Sequence, residues 1–203
     1  MNKLDIHQSA SAAVERKPAP SAPASRIALA SGEFHVDHYR NGRRINSYRF
    51  KNGITNEGKD ALLDVMFHGG TQVTSWYLGL IDNAGYSALA ATDTYANIDK
   101  VGNGWGEFTD YTDPGNGGDS TTRPEWTADA ASGQAITNSS VVSFDITDTG
   151  IVKGIFLVGG GTDADTKGDN AGGGVLWATA LFSGGDVPVI MGDTLRVTYT
   201  VSA

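Results

Sequence analysis

The chain has 203 residues, of which 39% are hydrophobic and 27 are glycine, with no cysteine and a formal net charge of −8. That length suits one generous domain, or one domain with an extension. The missing cysteine excludes a disulfide-held scaffold, a thiolate metal site and a cysteine nucleophile. No stretch of about 18 apolar residues occurs, so no membrane-spanning helix is expected. Met1–Gln8 lacks the apolar segment of a secretion signal, so a soluble product of the cytoplasm is expected.

Charge is unevenly placed along the chain. Residues 1–51 carry nine Lys/Arg against four Asp/Glu, or +5, whereas residues 52–203 carry six against nineteen, or −13. An acidic body repels nucleic acid, and a basic arm is drawn to acidic surfaces. Residues 1–30 form a separate compositional unit. Their Lys17-Pro18-Ala19-Pro20-Ser21-Ala22-Pro23-Ala24-Ser25 run has nothing to bury and favours extended conformations. We therefore expect a Pro/Ala-rich N-terminal arm over 1–30 and a single domain over 31–203.

The domain opens with a hairpin. Glu33 to Arg40 alternates, with Phe34, Val36 and His38 on one face; Asn41-Gly42 is the favoured type I′ turn, and Arg43 to Phe50 returns. A helix is expected over 56–68. Thr55 or Asn56 caps it, Glu57 and Asp60 lie in its first turn, Ala61, Leu62, Val65 and Met66 share a face, and Gly69-Gly70 stops it. Short strands follow. Ser75 to Ile81 is apolar enough to be central; Val142, Phe144 and Ile146 alternate inward; Ile151–Val158 and Val175–Phe182 are near-continuous apolar runs; and Leu195, Val197, Tyr199 and Val201 alternate with polar residues. Residues 99–135 read as an irregular Gly/Asp-rich loop punctuated by aromatics. Strands at this spacing, without a βαβ rhythm, predict a mainly β fold. The expected form is an antiparallel, jelly-roll-like β-sandwich with one short α-helix and an extended N-terminal arm.

Little in the sequence points to catalysis. His35 and His38 lie three apart on a strand and face opposite ways, and His7 and His68 stand alone. Asp163-Ala164-Asp165-Thr166-Lys167-Gly168 begins like a calcium loop but places Lys167 at its fifth position and Gly174 at its twelfth, where a carboxylate ligand belongs. Asp110, Asp113, Asp119, Arg123 and Glu125 are grouped as a carboxylate pair for glycoside hydrolysis would be, but a solvated loop does not separate two pKa values. There is no nucleophile elbow and no phosphate loop. The basic arm does not interleave aromatics with charge as a single-strand binder does. No enzyme activity, cofactor, metal or nucleic-acid partner is expected. Trp105, Tyr111 and Trp126, set among acids, suggest a glycan contact, as in a carbohydrate-binding module; the competing role is to pin a long loop onto the sheet.

Several stretches, taken together, resemble a family of small proteins encoded among the structural genes of tailed bacteriophages. They are Asn52-Gly53-Ile54-Thr55-Asn56-Glu57-Gly58-Lys59, Trp76-Tyr77-Leu78-Gly79-Leu80-Ile81-Asp82, Gly104-Trp105-Gly106-Glu107-Phe108, Arg123-Pro124-Glu125-Trp126, Gly154-Ile155-Phe156-Leu157-Val158, Leu176-Trp177-Ala178-Thr179-Ala180 and Gly192-Asp193-Thr194-Leu195-Arg196-Val197. The resemblance covers about 33–203 and implies a virion component, with no catalytic residues to carry over. The expected role is a capsid decoration (cement) protein on the outer shell, with a tail, collar or fibre-associated position as the alternative. Its partners would be the major capsid protein and neighbouring copies of itself, as a trimer on local three-fold axes. Arg16, Lys17 and Arg26 of the arm, with Arg40, Arg43 and Arg44 of the hairpin, are the expected contact residues.

Overall fold

A computed structural model of the chain describes residues 30–203. In chain order the elements are β1 (Ser31–Arg40), β2 (Arg43–Lys51), β3 (Gly53–Ile54), α1 (Asn56–Phe67), β4 (Trp76–Asp82), β5 (Glu107–Phe108), β6 (Tyr111–Thr112), β7 (Ala135–Thr137), β8 (Val142–Ile146), β9 (Gly150–Gly159), β10 (Val175–Leu181), β11 (Val187–Val189) and β12 (Thr194–Ser202). They form two antiparallel sheets. Sheet A runs β2-β1-β12-β8-β6 with β7 added to β12, and sheet B runs β3-β10-β9-β4-β5 with β11 added to β9.

The sheets face one another because each presents a period-two apolar row. Phe34, Val36, Val142, Phe144, Leu195, Val197 and Tyr199 of sheet A meet Leu78, Leu80, Ile155, Leu157, Ala178 and Ala180 of sheet B in one core. Asn41 (φ 49°) and Gly42 (φ 73°) are both left-handed, as a type I′ turn requires. That turn sets the hairpin register, and Phe34, Val36 and His38 are buried as the alternation demands.

The near-continuous apolar runs have a different cause. Sheet B is covered on its outer side too: Ile81, Phe156, Val158 and Leu176 pack there against Tyr95, Ile98, Trp105 and Ala164 from the irregular segments 83–106 and 160–174. A strand buried on both faces has no polar side to alternate. Residues 99–135 are irregular and largely exposed, but they are anchored: Trp105 lies in the third layer, and Phe108, Tyr111 and Trp126 in the sandwich core.

Helix α1 matches its expected span to within a residue, with the Thr55 side chain accepting the Gly58 N–H. Where the two-residue β3 ends, α1 takes over the edge of β10. Thr55 N–H donates to Trp177 O, and a Cβ on Gly58 would lie 2.7 Å from that same oxygen. Only small and medium side chains fit inward: Gly58 is buried and Ala61, Leu62 and Val65 are half-buried, whereas Met66, on the expected apolar face, is 64% exposed.

Candidate interaction surface

Two ionic clusters organise the molecule; the first is closed, and the second reaches the surface at Arg40. The first lies under the third layer. Arg123 and Glu107 have no exposed side-chain surface, and their ion pair is 2.7 Å long. Arg123 also donates to the carbonyls of Ala164 and Asp169, and it lies over the Phe156 ring. Glu107 accepts in addition from Tyr111 Oη (3.1 Å) and Gly168 N (2.7 Å). Burial works against the Arg123 cation, but Glu107 outweighs it and the guanidinium is held more firmly charged than usual. Burial first, and the Glu107 charge second, push the Tyr111 phenol well up. The Asp163–Asn170 stretch closes over this pair. Lys167 turns inward to the carbonyls of Thr109 and Tyr111, and Asp169 accepts the Tyr95 hydroxyl at 2.5 Å.

The second cluster joins β1 to the turn before β12. Arg40 donates twice to Asp193, Nε to Oδ1 and Nη2 to Oδ2 at 2.7 Å each, and His38 Nε2 hydrogen-bonds Asp193 Oδ2 at 2.8 Å. The Ile190 N–H also donates to Oδ2 at 3.0 Å. Burial alone would raise the Asp193 carboxyl, but these bonds, led by Arg40, hold it at about 2.

What remains open to solvent is a set of contact surfaces. A groove of about 600 Å³ follows the free edge of the sandwich, between β2 and residues 183–190, lined among others by Tyr48, Arg49, Asp186, Pro188 and Ile190. Beside it, β2 is the edge strand of sheet A. Asn52 N–H donates to Gly32 O, which makes the even positions around it the ones bonded to β1, so Ser47 and Arg49 turn their main-chain groups outward. Two of those groups are capped locally: Ser183 Oγ donates to Arg49 O, and Ser47 N–H donates to the Asn46 side chain. Ile45 has no partner on β1, because β2 is bulged there. On the free side of α1, Leu63 (41% exposed), Met66 and Phe67 (82%) form an apolar patch.

The predicted contact residues fare differently. Arg43 and Arg44 are exposed on the edge strand, Arg44 within 3.4 Å of Asp37. Arg40 is held by its two bonds to Asp193, which position the turn before β12, yet it is 35% exposed and lines the groove beside β2. Arg16, Lys17 and Arg26 lie outside the described residues. For Trp105, Tyr111 and Trp126 the glycan contact is corrected, and the pinning role fits. They are 3%, 1% and 6% exposed, and their polar atoms bond to Asp93, Glu107 and the Tyr199 carbonyl, so no ring face is open to a sugar. Of the grouped acids, Asp113 caps Gly115 N–H, while Asp110 and Glu125 are exposed and share no cleft. Ser47, His35 and Asp37 do meet on the outer face of sheet A, but one nitrogen, His35 Nε2, faces both partners, at 3.0 and 3.5 Å. A nucleophilic relay uses the two ring nitrogens separately.

Sequence reasoning missed Glu107 and Asp193 as organising residues. The signal was present: each is a lone acid inside an otherwise apolar or glycine-rich motif, Gly104-Trp105-Gly106-Glu107-Phe108 and Gly192-Asp193-Thr194-Leu195. No family model matches the chain, and neither a curated protein nor a solved structure matches it.

Proposed function

We propose that this chain is a structural protein of a bacteriophage particle that works by contact rather than by turnover, and that its place is the outer capsid surface, as a decoration or cement protein. The observation that carries the reading is where the side chains go. The buried Arg123–Glu107 pair and the buried Asp193 carboxylate are spent on holding segments together, while apolar and basic side chains (Leu63, Met66 and Phe67 on α1; Arg43 and Arg44 on β2) are left on the surface. The motif resemblance to tailed-phage structural proteins points the same way. A protein bridging seams of an expanded shell stabilises that state by mass action, since it binds the expanded state and not the alternatives. Arg16, Lys17 and Arg26 would add contacts beyond the body.

Imaging of intact particles with labelled protein tests the assignment: hundreds of copies over the shell are expected, whereas a few copies at one vertex would place the chain in the tail or collar. Deleting residues 1–30 should abolish shell binding with an unchanged melting temperature. A Met66→Ser/Phe67→Ser double variant should weaken shell binding by about tenfold or more, as loss of exposed anchor residues does at interfaces. Because both side chains are exposed, its melting temperature should move little, and undiminished binding would remove α1 from the contact.

A further inference from the structure

Sheet A is electrically polar from one edge to the other. At its β2 edge stand Arg43, Arg44, Arg49 and Lys51, all exposed, against Glu33 and Asp37. Arg49 pairs with Glu33 at 2.9 Å and Arg44 with Asp37, which leaves Arg43 and Lys51 without an ion pair among the described residues. Four strand spacings away, about 19 Å at about 4.8 Å each, β6 forms the opposite edge. There, on the flank where sheet B ends at β5, the chain collects acids: Asp110 precedes β6, Asp119 folds back beside Asp113, Glu125 pairs with Tyr77 on the β5 side of β4, and residues 165–167 pair with 121–123, which brings Asp165 to the same segment. Asp110 and Glu125 are exposed, and Asp165 is half-buried. The cations within these segments are turned inward, Arg123 onto Glu107 and Lys167 onto the Thr109 and Tyr111 carbonyls.

We infer that the basic β2 edge of one copy docks on the acidic β6 edge of a second copy, giving a head-to-tail contact between identical chains. Two different surfaces of one molecule that complement each other make a heterologous contact, which repeats until it closes as a ring. A contact of two β2 edges would set like charges together, so a two-fold arrangement is disfavoured. Exposed ion pairs alone contribute little. The apolar side chains beside them give the contact area to bury: Ile45, Ile190 and Met191 by the β2 edge, Val141 just before β8 on the side that β6 only partly covers. The bulge at Ile45 and the capped Arg49 carbonyl and Ser47 N–H discourage an added strand, so the edge docks through side chains rather than by extending the sheet. This contact deepens the virion reading but fails separately from it. A chain that assembled only on a shell would be monomeric in solution and still present in particles.

Light-scattering mass measurements on the full chain test it. At about 0.02 M salt, where charges reach across tens of ångströms, the wild type should show a mass that is a multiple of 21.2 kDa, falling toward the protomer at about 1 M salt. Arg43→Glu/Arg44→Glu and Asp110→Lys/Glu125→Lys should each be monomeric alone, with association weakened by about tenfold or more. Mixed in equal amounts they should associate again, because each keeps the edge that the other has lost. A wild type that is monomeric at low salt overturns the inference. So does association unaffected by either reversal, loss with the β2 reversal alone (the basic edge then meets a different partner), or a mixture that fails to recover.

Discussion

Removing one member of the Arg123–Glu107 pair leaves the other as a charge buried without a partner, with the Ala164 and Asp169 carbonyls or the Gly168 N–H and Tyr111 hydroxyl stranded beside it. Arg123→Met or Glu107→Gln should therefore cost about 3–5 kcal/mol in urea denaturation, while the double change to apolar residues should recover much of that loss. A double variant as unstable as the singles would mean that the pair chiefly holds the third layer together through its carbonyl bonds. Asp193 makes a prediction in pH. Its carboxyl is held at about 2, below the unfolded value of about 3.9. The stability it contributes is thus complete above about pH 4 and is lost as pH falls toward 2. Arg40 is 35% exposed, and water screens part of the pairing, so the loss should be on the order of 1–2 kcal/mol. Melting temperatures measured from pH 5 to pH 2 should fall more steeply for the wild type than for Asp193→Asn, which lacks this titration and starts less stable.

Helix α1 shows how a local signal and a tertiary demand can coincide on one motif. Thr55 was legible as a cap, but Glu57, read as an acid favouring the helix N-terminus, also reaches out of the helix to accept the N–H groups of Tyr95 and Leu176. It thereby satisfies main-chain donors of the third layer and of the β10 edge. Gly58 is set by contact. Alanine is the better helix former by about 1 kcal/mol, yet a Cβ here meets the Trp177 carbonyl at 2.7 Å. Gly58→Ala should destabilise by about 1–3 kcal/mol, as overpacking does, and a gain in melting temperature would show that the helix can lift away from β10. Among the strands, the β1–β2 hairpin and its Asn41-Gly42 turn were legible because turn and alternation are local, but the bulge that skips Ile45 and the extension to Ser31 and Lys51 were not. The burial of β9 on both faces was not, since the covering residues Tyr95, Ile98 and Trp105 come from a segment with no periodicity.

The molecule as a whole is a sandwich with an added layer, and its charged groups are sorted by depth. Those in the interior lock segments distant in sequence, as Arg123 joins 107, 123 and 164–169. Those at the edges divide by sign. The sequence showed a basic N-terminal quarter and an acidic remainder, but fold topology turns that linear asymmetry into two opposed edges of one sheet, because β2 and β6 end up at its extremes. The candidate surface was partly visible as Arg43 and Arg44. Arg40, three positions before Arg43 and indistinguishable from it in composition, has its head group bonded to Asp193 instead.

Alternation, turn chemistry and capping were sufficient to specify an antiparallel, mainly β chain with one short helix, because each of those signals is carried by residues within a few positions of one another. Which aromatics and charges are buried depends on contacts between residues far apart in sequence, such as Arg123 with Glu107, 16 positions away, Trp126 with the Tyr199 carbonyl, 73 positions on, or His38 and Arg40 with Asp193, 155 and 153 positions on. Burial is a property of what covers a side chain. For Trp105, Tyr111 and Trp126 the covering comes from other strands and loops, so of the two roles the sequence allowed they take the pinning one and not the glycan contact.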